Sequence, residues 1–473
     1  MDSNLISQLD QLSLGDSSKS FEFTFQLPPL APSFPPSSVP PNSFLSLPPE
    51  LISEIFKSFP LHPSSERNST LASLCLVNHL FFELARPRLY RRICIDLTCD
   101  LKFGSSSSAV ISTLTSNAEC GRLVKELRVS FFGIFGQGIS TVEPVLNLVD
   151  SLEGLEVVQA DLKQFFLGDA VDKFVEIIIE RKPHIQHLEF PRTVAHYKLE
   201  EQIFSKLSHL RTYIGRLPGP DYIETEDPHQ LYQNVFCRLE RLVLRSPAKP
   251  LYLNRLLCLS HHTLTALSFS VAPESSNFDL SSFTSLTLLR ISISRGFEGR
   301  LNNSRGPGSG ASAINFAHDI RNILHSVEVS PLQTLAIWAA EDHIGDMIAP
   351  LISTDMALSP SLLHFAATFP FLNANSSLLK AIGTQSLPHL ERISILPECS
   401  LQPLFARPLR NLQEKKFKRV CNDLGIQVDF LEATRDPNDD DDRLDPYHTD
   451  SDSDDNWDDE DGDSWDGSSG YED

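Results

Sequence analysis

Residues 264–269 read Leu264-Thr265-Ala266-Leu267-Ser268-Phe269, and residues 286–291 read Leu286-Thr287-Leu288-Leu289-Arg290-Ile291. Both have the form Φ-x-x-Φ-x-Φ, with Φ apolar. In an extended chain alternate side chains face opposite sides, so the last two Φ positions point one way and the residue between them points the other. The form recurs at Val124/Leu127/Val129, Leu152/Leu155/Val157, Ile185/Leu188/Phe190 and Leu239/Leu242/Leu244. It returns at Leu332/Leu335/Ile337 and Leu390/Ile393/Ile395, with a blurred copy at Leu362/Phe365/Ala367.

Neighbouring copies start 28, 33, 54, 25, 22, 46, 30 and 28 residues apart. Spacings of roughly 20–30 residues are those of leucine-rich repeats. One such unit cannot bury its leucines alone, so stacked neighbours must share a core. The gaps of 54 and 46 residues read as about two repeats each, with Leu207/Leu210 and a Gly/Ser-rich loop at 302–312 inside them. Helical stretches at 172–181 and 377–383 fall between strands. The expected fold over 93–435 is therefore an α/β, divergent leucine-rich-repeat-like solenoid, with a non-solenoid α/β domain as the alternative. The residues expected to face outward on its strands include Glu189, Arg241, Arg245, Arg290, Trp338 and Arg392, a set of mixed sign. Arg241, Arg245, Arg290 and Trp338 are the anchor types from which a target-protein contact is expected.

The charge is unevenly spread along the 473 residues, whose formal net charge is -22. Residues 436–473 hold eighteen Asp or Glu against Arg443, a net of -17, which leaves -5 for the rest. Acidic runs with little apolar area to bury predict a disordered tail, here carrying Tyr447, Trp457, Trp465 and Tyr471. Thr449 and Ser451 each precede an acid by three residues. At the other end, residues 1–43 form a Pro-rich arm, with seven prolines between Gln26 and Asn42, expected to be extended and disordered. Within it Leu5, Leu9, Leu12 and Leu14 have the spacing of a nuclear export signal. The acidic balance argues against nucleic-acid or anionic-membrane binding by a general basic field. No stretch approaches the apolar length of a membrane span, and a soluble protein of cytoplasm and/or nucleus is expected. The short run Lys415, Lys416, Lys418 and Arg419 reads as an import signal or as a helix face answering the acidic tail.

The segment 44–92 has a different texture. It opens on Leu47-Pro48-Pro49-Glu50, placing prolines where a helix start tolerates them and an acid in the first turn. Leu51, Ile52, Ile55, Phe56 and Phe59 follow at three-four spacing as one apolar face. A second helix is expected from about Glu66 to Cys75. A third carries Leu76, Val77, Leu80, Phe81, Leu84 and Ala85 and ends before Pro87. This segment resembles an F-box: Leu47-Pro48, Glu50-Leu51 and Ile55 match its opening, and Leu74, Leu76-Val77, Phe81 and Leu84 its third helix. The following Ala85 to Ile93 resembles the exit segment of fungal F-box-like proteins. Two departures are a longer loop from Phe59 to Thr70, and Phe81 where tryptophan is commoner. The resemblance implies a Skp-type adaptor and a cullin ligase as partners, with Leu47, Pro48, Leu51, Ile52, Ile55, Leu76 and Val77 as adaptor contacts.

The chemistry of an enzyme is missing from the sequence. There is no phosphate-cradling P-loop, and the glycines at 133, 136 and 138 run in the reverse order of a dinucleotide fingerprint. His184 with His187, and His261 with His262, lack a second pair at zinc spacing. Eight scattered cysteines form no Cys-x-x-Cys and read as reduced, small apolar residues. The expected function is a non-catalytic substrate receptor of a Skp–cullin–F-box ubiquitin ligase, without cofactor or metal. The alternative is a scaffold whose helical segment caps the solenoid and whose acidic aromatic tail binds the partner.

Overall fold

The computed structural model describes residues 47–58, 65–97, 105–131, 143–162, 168–190, 197–216, 234–248, 250–271, 278–293, 309–339, 359–368, 387–396, 415 and 417–430. The Pro-rich arm with its export-like leucines, the acidic tail, the helix expected at 377–383 and Cys399 lie outside them.

The chain opens with three helices, α1 (Pro49–Ser58), α2 (Ser65–Cys75) and α3 (His79–Arg91). Pro49 sits at the first helical position, and the carbonyl of Pro48 accepts from the N–H groups of Leu51 and Ile52. The third helix begins later and ends later than its sequence suggests. Leu76 and Val77 lie in a turn, and Asn78 is the N-cap, its side-chain oxygen accepting from the Phe81 N–H at 2.9 Å. Pro87 stands inside α3 and does not end it. The helix continues because Leu89 and Tyr90 beyond the proline still find apolar partners, which offsets the roughly 3 kcal/mol that an interior proline costs.

From Arg92 onward strands and helices alternate. The strands are β1 (Arg92–Leu97), β2 (Glu126–Phe131), β3 (Val157–Leu162), β4 (His187–Glu189), β5 (Thr212–Gly215) and β6 (Arg241–Ala248). They continue with β7 (Ala266–Val271), β8 (Leu288–Ile293), β9 (Thr334–Ala339), β10 (His364–Thr368), β11 (Arg392–Leu396) and β12 (Gln427–Phe430). All twelve form one parallel sheet in chain order. The helices between them are α4 (Ser105–Ser116), α5 (Ala118–Leu123), α6 (Glu143–Ser151), α7 (Gly168–Arg181), α8 (Tyr197–Lys206), α9 (Pro250–Leu256) and α10 (Ser309–Ser326).

A single backbone device sets the spacing of this sheet. The carbonyl of Lys125 accepts from the N–H groups of both Glu156 and Val157, and that of Glu156 accepts from both Gln186 and His187. The same doubled rung recurs on the carbonyls of Gln186, Arg211, Glu240, Thr265, Thr287, Gln333 and Leu363. Each rung residue directly precedes its strand, so every strand starts level with the last. The residue before each rung is apolar and buried: Val124, Leu155, Ile185, Leu210, Leu239, Leu264, Leu286, Leu332 and Leu362, and Leu390 holds the same place before β11. The inward strand residues then join these in one continuous core running from Ile95 to Val428. Helices α6 to α10 close that core with residues such as Val149, Ile178, Phe204, Leu253 and Leu324.

This register corrects four of the sequence readings. Val158 pairs with Leu127 and with Leu188, so the third unit is Leu155/Val158/Ala160, three residues later than Leu152/Leu155/Val157. Leu152 instead closes α6, its N–H donating to the Leu148 carbonyl. The 54-residue gap does hold an extra strand, β5, but the 46-residue gap does not, since β8 pairs directly with β9. Part of that length is the 18-residue helix α10, which begins at Ser309 inside the stretch expected to be a loop. A further strand precedes all those expected, with Ile93 and Ile95 in register with Leu127 and Val129.

The unit at β5 is unusual because its Φ-x-Φ pair is Tyr213 and Gly215, in register with Leu242 and Leu244. A Cβ added to Gly215 would lie 2.7 Å from the Tyr213 hydroxyl oxygen and 2.8 Å from the ring carbon that bears it. The tyrosine ring thus fills the space of two side chains, and it also meets Phe204 edge-on at 4.9 Å. Gly215→Val should destabilise the chain by about 1–3 kcal/mol through overpacking. Adding Tyr213→Leu restores the ordinary pair and should recover most of that loss. Denaturant unfolding of the single and double variants measures the coupling, and simple additivity would refute this packing.

Candidate interaction surfaces

The helical segment has its own small core of Ile52, Phe56, Leu71, Phe81 and Ala85, with the Phe56 and Phe81 rings 5.6 Å apart. Leu47, Leu74, Cys75, Leu84 and Leu89 pack partly against it. Ile52, a member of the expected adaptor set, is therefore an interior residue of this core. It stands about 100° around the helix from Leu51, and the two point to different sides.

The rest of that set divides clearly. Leu51 is 51 % exposed, Ile55 37 %, Leu76 54 % and Val77 54 %, and Pro48 is exposed as well. Leu80 joins them at 38 % exposed, a residue outside the expected adaptor set. Leu51 and Ile55 lie one turn apart on α1, while Leu76, Val77 and Leu80 occupy the turn into α3 and its first residues. The nine large exposed apolar residues among those described include all five of these, against four spread along the rest. Exposed apolar side chains gathered on so short a segment mark an interaction site more than ordinary surface.

The second surface is the outer face of the sheet, opposite the core. Arg241, Arg245, Arg290, Trp338, Arg392 and Glu189 all occupy outward strand positions, as alternation requires. Their exposure is not what a set of free anchors would show. Arg290 is 6 % exposed and Trp338 8 %, and the Arg245 side chain is 9 % exposed. Only Arg392 is an exposed residue, and its guanidinium pairs with Asp429. Arg245 reaches past β5 to Glu189 at 3.7 Å. Burial alone would push the Glu189 carboxyl up, but His187 beside it and the charges of Arg245 and Arg128 hold it below the ordinary range.

The remaining sequence candidates are placed as structural groups. His184 lies against His209, His261 meets Phe283 edge-on, and His262 contacts Thr284. No group of three or more metal-ligating side chains occurs among the described residues, nor is any helix there long and apolar enough to cross a membrane. Cys120, Cys237 and Cys421 are buried, and burial pushes the Cys237 thiol up to about 12 and the Cys421 thiol to about 11. Residues 417–423 are helical, with Phe417 and Cys421 turned into the core and Lys418 and Arg419 exposed.

At the far end of the outer face the His364 ring bonds the Ser394 hydroxyl at 2.8 Å. Burial first, and then the Arg392 charge, lowers its pKa to about 4, with Asp429 opposing. Below its ordinary value of 6.5 the unfolded chain binds a proton that the folded chain refuses. Stability should therefore fall as pH drops from about 6.5 toward 4, and His364→Asn should flatten that fall. Denaturant midpoints at pH 7 and 4.5 test this, and an unchanged slope in the variant would exclude His364 as its source.

No protein-family model matches this sequence, and no curated protein does. Among solved structures, a chain from the crystal structure of the Rad7 and Elc1 complex of yeast is similar over 75 % of this chain and 91 % of its own. The two share 14 % identity at a TM-score of 0.35.

Proposed function

We propose that this chain is a non-catalytic receptor, in which an F-box-like helical segment recruits a Skp-type adaptor and a repeat solenoid holds a target protein. The observation that carries the reading is the division of apolar residues on the first three helices. Five are buried in a self-contained core, yet Leu51, Ile55, Leu76, Val77 and Leu80 remain in water. A helix that buries Ile52 and Phe56 gains nothing from keeping Leu51 and Ile55 exposed unless another surface covers them. Fully burying such a side chain contributes about 1.5–3 kcal/mol, so five together supply the driving force of a stable partner interface.

The solenoid supports the second half of the reading. Doubled rungs, buried Φ positions and strands in chain order are what stacked leucine-rich units require. In this reading the array is the part that holds the target, while its outward residues Arg290 and Trp338 are themselves buried. Catalysis would then come from the cullin ligase brought near the target, and proximity alone accounts for large rate effects. The setting in which such ligases work is the cytoplasm or nucleus.

A scaffold reading, with the helices as an N-terminal cap, has one observation in its favour. Helix α3 runs into β1 without a linker, and Arg86 bridges from α3 to Glu119 at 3.1 Å. A cap, however, has no use for an exposed apolar edge.

Co-purification of the full chain with a Skp-type adaptor separates the two. We expect a 1:1 complex that the Leu51→Asp, Ile55→Asp double variant loses while its circular dichroism and melting stay near those of the parent, because both side chains are exposed. Ile52→Asp should instead unfold the helical segment. A well-folded parent that binds no adaptor, or a double variant that binds as well as the parent, would reject the receptor reading.

A further inference from the structure

One apolar pattern in the sequence has no place in either surface described above. Residues 2–15 read Asp2-Ser3-Asn4-Leu5-Ile6-Ser7-Gln8-Leu9-Asp10-Gln11-Leu12-Ser13-Leu14-Gly15. Leu5, Leu9 and Leu12 stand at i, i+4 and i+7, so at about 100° per residue they fall within about 60° of one helical face, with Ile6 beside them. Ser3 and Asn4 are residue types that start a helix, and Gly15 is one that stops it. A helix this short does not hold its shape alone in water; it takes it up against an apolar surface.

The folded body offers such a surface. Leu51 and Ile55 on α1, and Leu76, Val77 and Leu80 at the entry to α3, are exposed, and no described residue covers them. The described chain also starts beside them, since Leu47 packs against the core of the three helices four residues before Leu51. Residues 15–46, which join the leucines to this point, number 32. They can extend to about 105 Å, against about 15 Å for the whole of α1. Seven prolines stiffen the middle of this connection, but Ser37 and Ser38 precede none of them and leave the chain a place to turn back.

We infer that residues 4–14 dock as an amphipathic helix on this apolar edge, so that the chain covers its own partner site until a partner displaces it. The docking rests on the exposed edge alone, and only its consequence for an adaptor rests on the receptor reading. A tethered segment acts at an effective concentration near the millimolar range, which lets a helix of modest affinity occupy the edge. The contact is apolar in kind. Residues 1–20 hold Asp2, Asp10 and Asp16 against Lys19, and the acids beside the edge, Glu50, Glu54 and Glu83, are exposed. Like signs repel, so salt, which screens them, should leave the contact intact or strengthen it. The same signs disfavour the acidic segment 436–473, with its net of -17, as the occupant.

The photo-crosslinking amino acid p-benzoylphenylalanine, placed at residue 8 of the full-length chain, tests the docking. Irradiation should join it within the same chain to peptides that contain residues 51–55 or 76–80, and about 500 mM salt should not reduce the yield. The Leu5→Asp, Leu9→Asp, Leu12→Asp variant, whose changes touch no described element, should lose these products, and so should Leu51→Asp, Ile55→Asp. The triple variant decides by itself should the double variant not fold. Intrachain products that avoid both peptides overturn the inference, as do edge crosslinks that survive the triple variant or vanish in high salt. Products of twice the chain's mass that grow with protein concentration would assign the edge to a second copy and would also overturn it. No adaptor is present, so failure here leaves the receptor reading standing, and a failed co-purification leaves this result untouched.

Discussion

One carbonyl accepting two successive N–H groups, repeated from Lys125 to Leu363, is the constraint on which the remaining structure rests. Each rung fixes where a strand begins relative to the one before. Because side chains alternate with a period of two, a slip by one residue would turn every inward leucine to water. The energetic weight of a rung is modest, about 1 kcal/mol net per hydrogen bond. Its importance lies in repetition, since it aligns the nine apolar residues immediately before the rungs into one buried row. Chain length between rungs is then free to vary. That is why 22 residues suffice between Leu264 and Leu286 while 46 separate Leu286 from Leu332.

Most of this array is legible in the sequence because its inward positions are leucine, isoleucine, valine or phenylalanine. Where pattern and structure part, the causes are particular. Leu152 and Leu155 have the right spacing, but the first belongs to the end of a helix and the second to the row before the strand. Periodicity cannot separate them without knowing where α6 stops. Tyr213 and Gly215 leave no trace in the pattern because one ring occupies the room of two residues, which no residue-by-residue template represents. Tyr90 and Ile93 lie in the stretch that resembles an exit segment, which hides a strand because α3 runs unbroken into β1. The 46-residue gap is ambiguous because length alone cannot distinguish an extra strand from a long helix.

The helical segment shows a subtler limit. Leu51, Ile52, Ile55 and Phe56 all read as one apolar face, and on a helical wheel they do cluster. The structure divides them along the middle of that face, with Ile52 and Phe56 inside and Leu51 and Ile55 outside. A face this broad is wider than three short helices can cover, so the partition depends on where α2 and α3 sit. The turn carrying Leu76 and Val77 reads as helix for a related reason. Apolar periodicity continues through it, while the Asn78 cap that starts α3 is a weaker signal.

The contrast between the two cores explains where this protein can meet a partner through apolar contact. In the sheet, every unit is covered by the next, and large exposed apolar residues are isolated, as at Phe236 and Val329. The three-helix segment has no such neighbour on its outer side and buries only five apolar residues fully among those described. A core that small is ordinarily insufficient by itself, and here it is anchored at one end by the continuity of α3 with β1. The sheet thus supplies the stability that allows Leu51, Ile55, Leu76, Val77 and Leu80 to stay exposed. The same hydrogen-bond rung that buries the leucines therefore also provides the rigid support on which the helical segment stands.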